Sequence, residues 1–388
     1  MKAASAHDRA AGHCLNAPSP SLASPAVLEF LVPGNPLAAT GGYEYDRRII
    51  DGLRALGCTV RLGLLDGSFP LPTAQALADA QQQLAALPAD SLVVIDGLAL
   101  GAMPEVVRLH ATRLRLVGLV HHPLAAETGL RRDLAEWLAA SERRALQSMR
   151  MVIVTSHATR RALAGYGVPE DRIAVVEPGV EGPPQAPAHR PDKPGDGRGP
   201  LRMVCVATIT PRKGHDLLVE ELAGLRELAW VLHCVGDVRR SPETTRALGA
   251  QIAAAGLRER VILTGELDAA ELSRRLRRAD LFVLATRFEG YGMAVAQALA
   301  YGLPVISTRT GAITELVPAE AGLLVEPNDG AALREALARV LLDRPLLHRL
   351  ATGARRVGAK LPDWGAASRL FSAALAGAAR VDDERLQR

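Results

Sequence analysis

Two adjacent cations, Arg212 and Lys213, occupy the run Val206-Ala207-Thr208-Ile209-Thr210-Pro211-Arg212-Lys213-Gly214-His215-Asp216-Leu217-Leu218, in which a strand-like stretch passes through a turn into an amphipathic helix. Cations at the carboxyl end of a strand can hold negative charge that develops on a departing group. Lysine serves there as a point charge and arginine as a planar fork. A second run, Phe288-Glu289-Gly290-Tyr291-Gly292-Met293-Ala294-Val295-Ala296-Gln297-Ala298-Leu299-Ala300-Tyr301-Gly302-Leu303-Pro304-Val305, follows the apolar stretch Leu281 to Leu284 and enters a helix that Gly302 and Pro304 end. Glu289 is thereby set in a loop beside a helix N-terminus, whose free N–H groups attract oxygen-rich or anionic groups. Its carboxylate accepts hydrogen bonds from hydroxyls, and Gln297, about two turns into the helix, reaches the same cleft.

In the first half of the chain, Leu37-Ala38-Ala39-Thr40-Gly41-Gly42-Tyr43 separates a strand from a helix. Glycines let the backbone approach a ligand closely, and the helix start presents unpaired N–H groups to a phosphate. A plain turn is the competing reading of Gly41-Gly42. The spacing is not G-x-G-x-x-G, which argues against a nicotinamide dinucleotide. His121-His122-Pro123 closes the stretch Leu116 to Val120 and places two imidazoles at a sheet edge. Two histidines could serve as metal ligands or as a packed pair. The sequence places no third ligand and no D-x-D in a suitable loop, so no metal is expected.

These segments need strands to carry them. Apolar runs at Leu28 to Val32, Val60 to Leu65, Leu92 to Ile95, Leu116 to Val120, Met151 to Thr155 and Ile173 to Val176 recur with helical stretches between most of them. Ile49, Ile50, Leu53 and Leu56 fall at helical spacing and Gly57 closes that helix. From Glu181 to Pro200 the composition turns to proline and glycine, which sustain neither a helix nor an inner strand and mark a linker. The alternation then restarts at Met203 to Ala207, Trp230 to Val235, Val261 to Thr264, Leu281 to Leu284 and Val305 to Ser307. Strand and helix in alternation imply parallel sheets covered on both faces. The fold class is therefore α/β, with two doubly wound, Rossmann-like domains facing across a cleft that binds ligands at the strands' carboxyl ends.

Composition agrees. At 388 residues, 48% hydrophobic and only 3% aromatic, the chain suits two cores built from aliphatic packing. A net charge of +4 gives weak support for an anionic ligand and, without aromatic interleaving, none for nucleic acid. The arginine pairs 131-132, 143-144, 160-161, 274-275 and 277-278 read first as solvated helix faces, with a membrane-surface or acceptor-binding patch as the alternative. Cys14, Cys58, Cys205 and Cys234 lack C-x-x-C spacing, so neither a disulfide framework nor a zinc site is indicated. With no apolar run near the ~20 residues that span a bilayer and no leader-like segment, a cytoplasmic protein is expected, with room for peripheral contact at a membrane face.

The run from Glu289 resembles the E-x7-E region of family 4 glycosyltransferases, in which the first acid contacts the donor sugar and the second the ribose hydroxyls. Gln297 stands in place of the second acid, and an amide accepts from a hydroxyl without charge-assisted strength. Thr208 stands where the commonest pattern has an arginine, which shifts load to Arg212. Gly41 and Gly42 resemble the loop that cradles the donor's diphosphate and sugar, and His121 the cleft histidine near the reacting carbon. Gly265 resembles the turn where the base docks, and Gly290, Tyr291 and Gly292 belong to the same loop as Glu289. The resemblance implies the GT-B fold and retaining transfer from a UDP- or GDP-linked sugar, without cofactor or metal, to an acceptor that is a glycan, a lipid-linked molecule or a small molecule. His121, Lys213 and Glu289 would be the catalytic residues. The implied divisions are a disordered tail over 1–25, an acceptor-side domain over 26–180, a linker over 181–200, a nucleotide-sugar domain over 201–362, and a helix over 363–380 that crosses back from about Trp364. A nucleotide-sugar epimerase and a sugar-nucleotide binding protein of weak activity are the competing readings, and a dehydrogenase the remotest.

Overall fold

The computed structural model describes residues 27–38, 40–183 and 199–380. The expected tail over 1–25 and most of the expected linker lie outside the described residues, as does Cys14. The first sheet is built from Val27–Pro33 (β1), Thr59–Leu65 (β2), Leu92–Asp96 (β3), Arg115–Val120 (β4), Met151–Val154 (β5) and Ile173–Val175 (β6). The second is built from Leu201–Val206 (β7), Trp230–Val235 (β8), Val261–Gly265 (β9), Leu281–Leu284 (β10), Val305–Thr308 (β11) and Gly322–Val325 (β12). The orders are β2-β1-β3-β4-β5-β6 and β12-β11-β10-β7-β8-β9. Every ladder is parallel. Two six-stranded α/β layers with helices on both faces match the expected class.

The strand orders say where ligands belong. Each chain path works outward to one edge, then returns to the middle and works toward the other. The reversal falls between β1 and β3 in the first sheet and between β7 and β10 in the second. At such a switch point the two following loops turn opposite ways and leave a crevice above the strands' carboxyl ends. Gly41 and Asp96 follow or end β1 and β3, while Lys213 and Glu289 follow β7 and β10. Gly41, Lys213 and Glu289, all expected at the site, are thus brought to the two crevices by topology alone. β12 is additional to the expected strands, because Gly322–Val325 is an edge run of only four residues.

All five side chains of β3, Leu-Val-Val-Ile-Asp, are buried, as an inner strand covered on both faces requires. One face of the first sheet is covered around Leu84, Val107 and Leu146. The other is covered by the helices Gly41–Ala55 and Trp364–Arg380, through Tyr45, Ile49, Leu53, Phe371 and Leu375 against Leu28, Phe30 and Val32. The chain's last described helix therefore completes the core of the first lobe. The chain crosses between lobes twice, and the crossings run side by side: Val180 N–H donates to Pro362 O at 2.8 Å, and a Cβ on Gly179 would lie 2.3 Å from Trp364 N.

That last contact is backbone on backbone, so it cannot relax by turning a side chain. Gly179→Ala is expected to lower unfolding free energy by about 1–3 kcal/mol, the usual range for overpacking. Gly249→Ala, in the helix Pro242–Ala254 with open space around its Cβ position, should instead gain about 0.4–1 kcal/mol. Urea unfolding of the two variants checks the contrast, and a neutral Gly179→Ala would show that the crossings are not locked together.

Candidate active site

On the second lobe, β7 ends at Val206 and the chain reaches a single 3-10 turn, Pro211–Lys213, closed by Gly214. Gly214 has φ +66°, and a Cβ there would sit 1.9 Å from Ala285 O, so only glycine lets this turn press against the end of β10. The press brings the Lys213 ammonium onto Glu289 Oε1 in direct contact. Arg212 Nη1 lies 3.8 Å from the same oxygen and donates to Phe288 O at 2.9 Å. Glu289 is held from behind as well, since a Cβ on Gly311 (φ +51°) would fall 1.6 Å from Glu289 O. Thr286 Oγ1 lies 3.3 Å from the Glu289 carboxylate.

Glu289 is only 7% exposed. Burial pushes its pKa up, but Lys213 and then Arg212 outweigh burial and hold the carboxyl below the ordinary range. The outcome is a carboxylate whose charged form is favoured, wedged between two cations at the mouth of a helix. That helix, Met293–Ala300, begins at Gly292 with no side chain capping it, so its first N–H groups remain unclaimed by a cap.

On the first lobe, the helix Gly41–Ala55 is capped by Thr40 and opens with Gly41 and Gly42. A Cβ on Gly41 would lie 3.6 Å from Met293 Sδ, so the starts of these two helices face each other across the lobes. A Cβ on Gly42 would lie 3.3 Å from His121 Cδ2. His121 follows β4, and its Nε2 is 3.2 Å from both Asp46 Oδ1 and Asp96 Oδ2. Burial alone would depress this imidazole, yet the two carboxylates lift its pKa to about 10. The His121 carbonyl accepts from Thr155 Oγ1 at 3.1 Å and Thr159 Oγ1 at 3.2 Å. A Cβ on Gly290 would lie 2.4 Å from that carbonyl, and Ser156 Oγ donates to Gly290 O at 2.8 Å, which ties the two lobes together at the cleft.

His121, Gly41, Gly42, Arg212, Lys213, Glu289, Gly290 and Gly292 are thus brought to one place. Gly265 ends β9 with φ +73° and open space about its Cβ position, and its carbonyl accepts from Gly236 N–H at 3.0 Å. Two further expected residues have surroundings of their own. Tyr291 is packed in the second-lobe core with its hydroxyl buried and unpartnered, and burial, then Glu177, raises its pKa. The Gln297 amide N–H donates to Glu181 O at the start of the linker, beside the crossing between the lobes. The trio Asp46, Asp96 and His121 is the one set among the described residues with donor atoms close enough to share a cation.

Sequence reasoning missed Asp46, Asp96 and Glu127. Asp46 shares a helix face with Ile49, Ile50 and Leu53, and an acid on an apolar stripe is the signal that could have found it. Asp96 ends a strand at a crevice. Glu127 left no such signal; its Oε1 lies 3.2 Å from Arg212 Nε across the cleft, and although burial opposes it, His122 and Arg212 bring its pKa down to about 2.

The sequence profile described as glycosyl transferases group 1 matches residues 200–343, and that described as glycosyltransferase family 4 matches residues 43–181. The chain is 28% identical over 313 residues to the MMP alpha-(1->4)-mannosyltransferase of Mycolicibacterium hassiacum, covering 76% of this chain and 72% of that protein. It spans between 41% and 66% of the length of seven other curated relatives that it matches. The sucrose-phosphate synthase of Thermosynechococcus elongatus superimposes with a TM-score of 0.73 at 20% identity, over 88% of this chain and 96% of that one. HepE of Anabaena, solved with UDP and glucose, superimposes with a TM-score of 0.66 at 17% identity, over 93% of this chain and 99% of that one.

The loop that carries His122 and Glu127 is held from below by Glu142, whose Oε2 accepts from Leu124 N–H at 3.0 Å while Oε1 is buried without a partner. Burial lifts the Glu142 pKa from 4.5 to about 7. The folded state then binds this proton more tightly than the unfolded chain, so stability falls as pH rises from about 4.5 to about 7 and the penalty is complete above that. Glu142→Gln should match wild type in melting temperature near pH 4 and exceed it by a few degrees at pH 8. Equal melting temperatures at both pH values would show that burial does not penalise the ionised carboxylate.

Proposed function

We propose that this chain, which belongs to the family 4 (group 1) glycosyltransferases and has the GT-B fold, moves a sugar from a nucleotide-diphosphate donor to an acceptor with retention of configuration and without a metal. The observation that carries the reading is the meeting, across one cleft, of two helix starts and the Arg212–Lys213 pair anchored on Glu289. A departing diphosphate gains negative charge in the transition state, and fixed cations and helix N-termini stabilise it without reorganising. Glu289, ionised and held, accepts hydrogen bonds from donor-sugar hydroxyls. His121, fixed at its ring and its carbonyl, faces the reacting carbon.

In this reading a donor phosphate oxygen takes the acceptor's proton, and attack comes from the face the diphosphate leaves. The base docks at the Gly265 turn. Gln297 meets a ribose hydroxyl through Oε1, its N–H being committed to Glu181 O. The mannosyltransferase relatives favour a mannosyl donor, and HepE's bound UDP shows that a related fold accepts a uridine nucleotide. The acceptor belongs to the first-lobe loops, where relatives differ in what their names say they modify.

Thermal-shift measurements across UDP-, GDP- and ADP-sugars should find one nucleotide class that raises the melting temperature, since a ligand preferring the native state stabilises it. With that donor, Lys213→Ala should lower turnover on the order of 100- to 1000-fold while the circular dichroism spectrum stays that of wild type. A Lys213→Ala enzyme of undiminished rate would remove the lysine from the mechanism, and a flat response to every sugar nucleotide would remove the donor.

A further inference from the structure

Asp46 is 1% exposed and neither of its carboxylate oxygens meets hydrogen-bond geometry with any partner, although His121 Nε2 stands 3.2 Å from Oδ1. The same Nε2 is in hydrogen-bond geometry with Asp96 Oδ2, also at 3.2 Å, and Asp96 is 2% exposed. Burial, and then the neighbouring Asp96, lift the Asp46 pKa to about 7 while His121 opposes them; two carboxylates this deep, both within ion-pair distance of one ring nitrogen, favour positive charge between them, because an unpaired buried carboxylate is far costlier than a paired one. The charge available is the imidazole's own. We propose that Asp96 and Asp46 are positioning residues that hold His121 as a fixed imidazolium, the first lobe's cation on the wall of the cleft opposite Arg212 and Lys213. The proposal rests on the reading of the cleft as a diphosphate-sugar site and adds a charge to it.

Three features support a fixed orientation as well as a fixed charge. The Tyr45 ring meets the imidazole edge to face at 5.4 Å, while the Gly42 backbone lies along its Cδ2 edge. Thr155 and Thr159 hold the carbonyl at the other end of the residue. Nδ1 finds no hydrogen-bond partner among the described residues and the side chain is 19% exposed, so this N–H is the open edge of the ring. From every element packed against it, the groups facing His121 are Asp46 and Tyr45 on the helix Gly41–Ala55, Asp96 at the end of β3, the hydroxyls of Thr155 and Thr159, and the backbone of Gly290 across the cleft. The carboxylates are the only formal charges in that set, and burial resists the charged ring less than they favour it. A histidine so held is always a donor and never a base at neutral pH, which assigns it to charge stabilisation and leaves proton removal from the acceptor to another group.

The test is a pH titration of the His121 ring by imidazole NMR, the signal assigned by its loss in His121→Gln. Wild-type His121 should remain doubly protonated from pH 5.5 to 8.5, and in Asp46→Asn/Asp96→Asn its midpoint should fall toward the ordinary ~6.5. Calorimetry with GDP-mannose and UDP-glucose, whose diphosphate diester keeps its charge over this range, gives the second readout. For the nucleotide that binds, wild-type affinity should be level between pH 6 and pH 8, and that of the double variant should fall roughly tenfold over the same interval as its imidazole neutralises. If the double variant does not fold, the wild-type titration alone decides. A wild-type ring that loses its proton below pH 7, or a variant with level affinity, overturns the proposal. An imidazolium that persists while no sugar nucleotide binds leaves the clamp standing and sinks the donor reading instead.

Discussion

A carboxylate with as little solvent as Glu289 keeps its charge only while cations stand beside it, and the second lobe is arranged around that need. Lys213 and Arg212 reach it because the turn after β7 collapses onto the end of β10, and the turn collapses because Gly214 and Gly311 leave out the atoms that would keep backbones apart. The same ion pairs keep two cations desolvated and aimed before any ligand arrives. An ammonium free in water would have to shed its hydration as the reaction proceeds, whereas one already seated does not. The constraint on charge is therefore also the source of preorganisation.

The first lobe answers with the opposite arithmetic. There the acids outnumber the base, Asp46 and Asp96 to His121, and the ring takes its state from them. Across the gap, Glu127 reaches over to Arg212, and Ser156 to the carbonyl of Gly290. These contacts are polar and few, which is what an opening cleft requires: they can exchange for water or for a ligand's oxygens at small net cost.

Much of the architecture was readable beforehand because parallel strands buried on both faces leave uninterrupted apolar runs, as in Leu92 to Ile95 and Leu281 to Leu284. Arg212, Lys213 and Glu289 were readable because glycines and strand ends mark the turns that hold them. Asp96 and Asp46 were not, since their importance lies in a meeting with His121 over 25 and 75 residues of chain that no local pattern encodes. Tyr291 and Gln297 show the converse limit. Their place in a recognisable motif said which loop they belong to, but the pitch of the helix and the fill of the core decided where their side chains went. β12 was too short to announce itself.

The helix Trp364–Arg380 lies over Leu28, Phe30 and Val32 of β1, a strand made far earlier in synthesis. On a ribosome adding about 5–20 residues each second, the sheet of the first lobe emerges roughly ten seconds or more before the helix that roofs it. Until then that face of the sheet is covered only in part, by the helix Gly41–Ala55, while the second lobe, whose core is contiguous in the chain, can close by itself. The order of maturation is thus inverted with respect to the order of synthesis: the later-made half finishes first, and the earlier-made half is completed only when the helix Trp364–Arg380 reaches it.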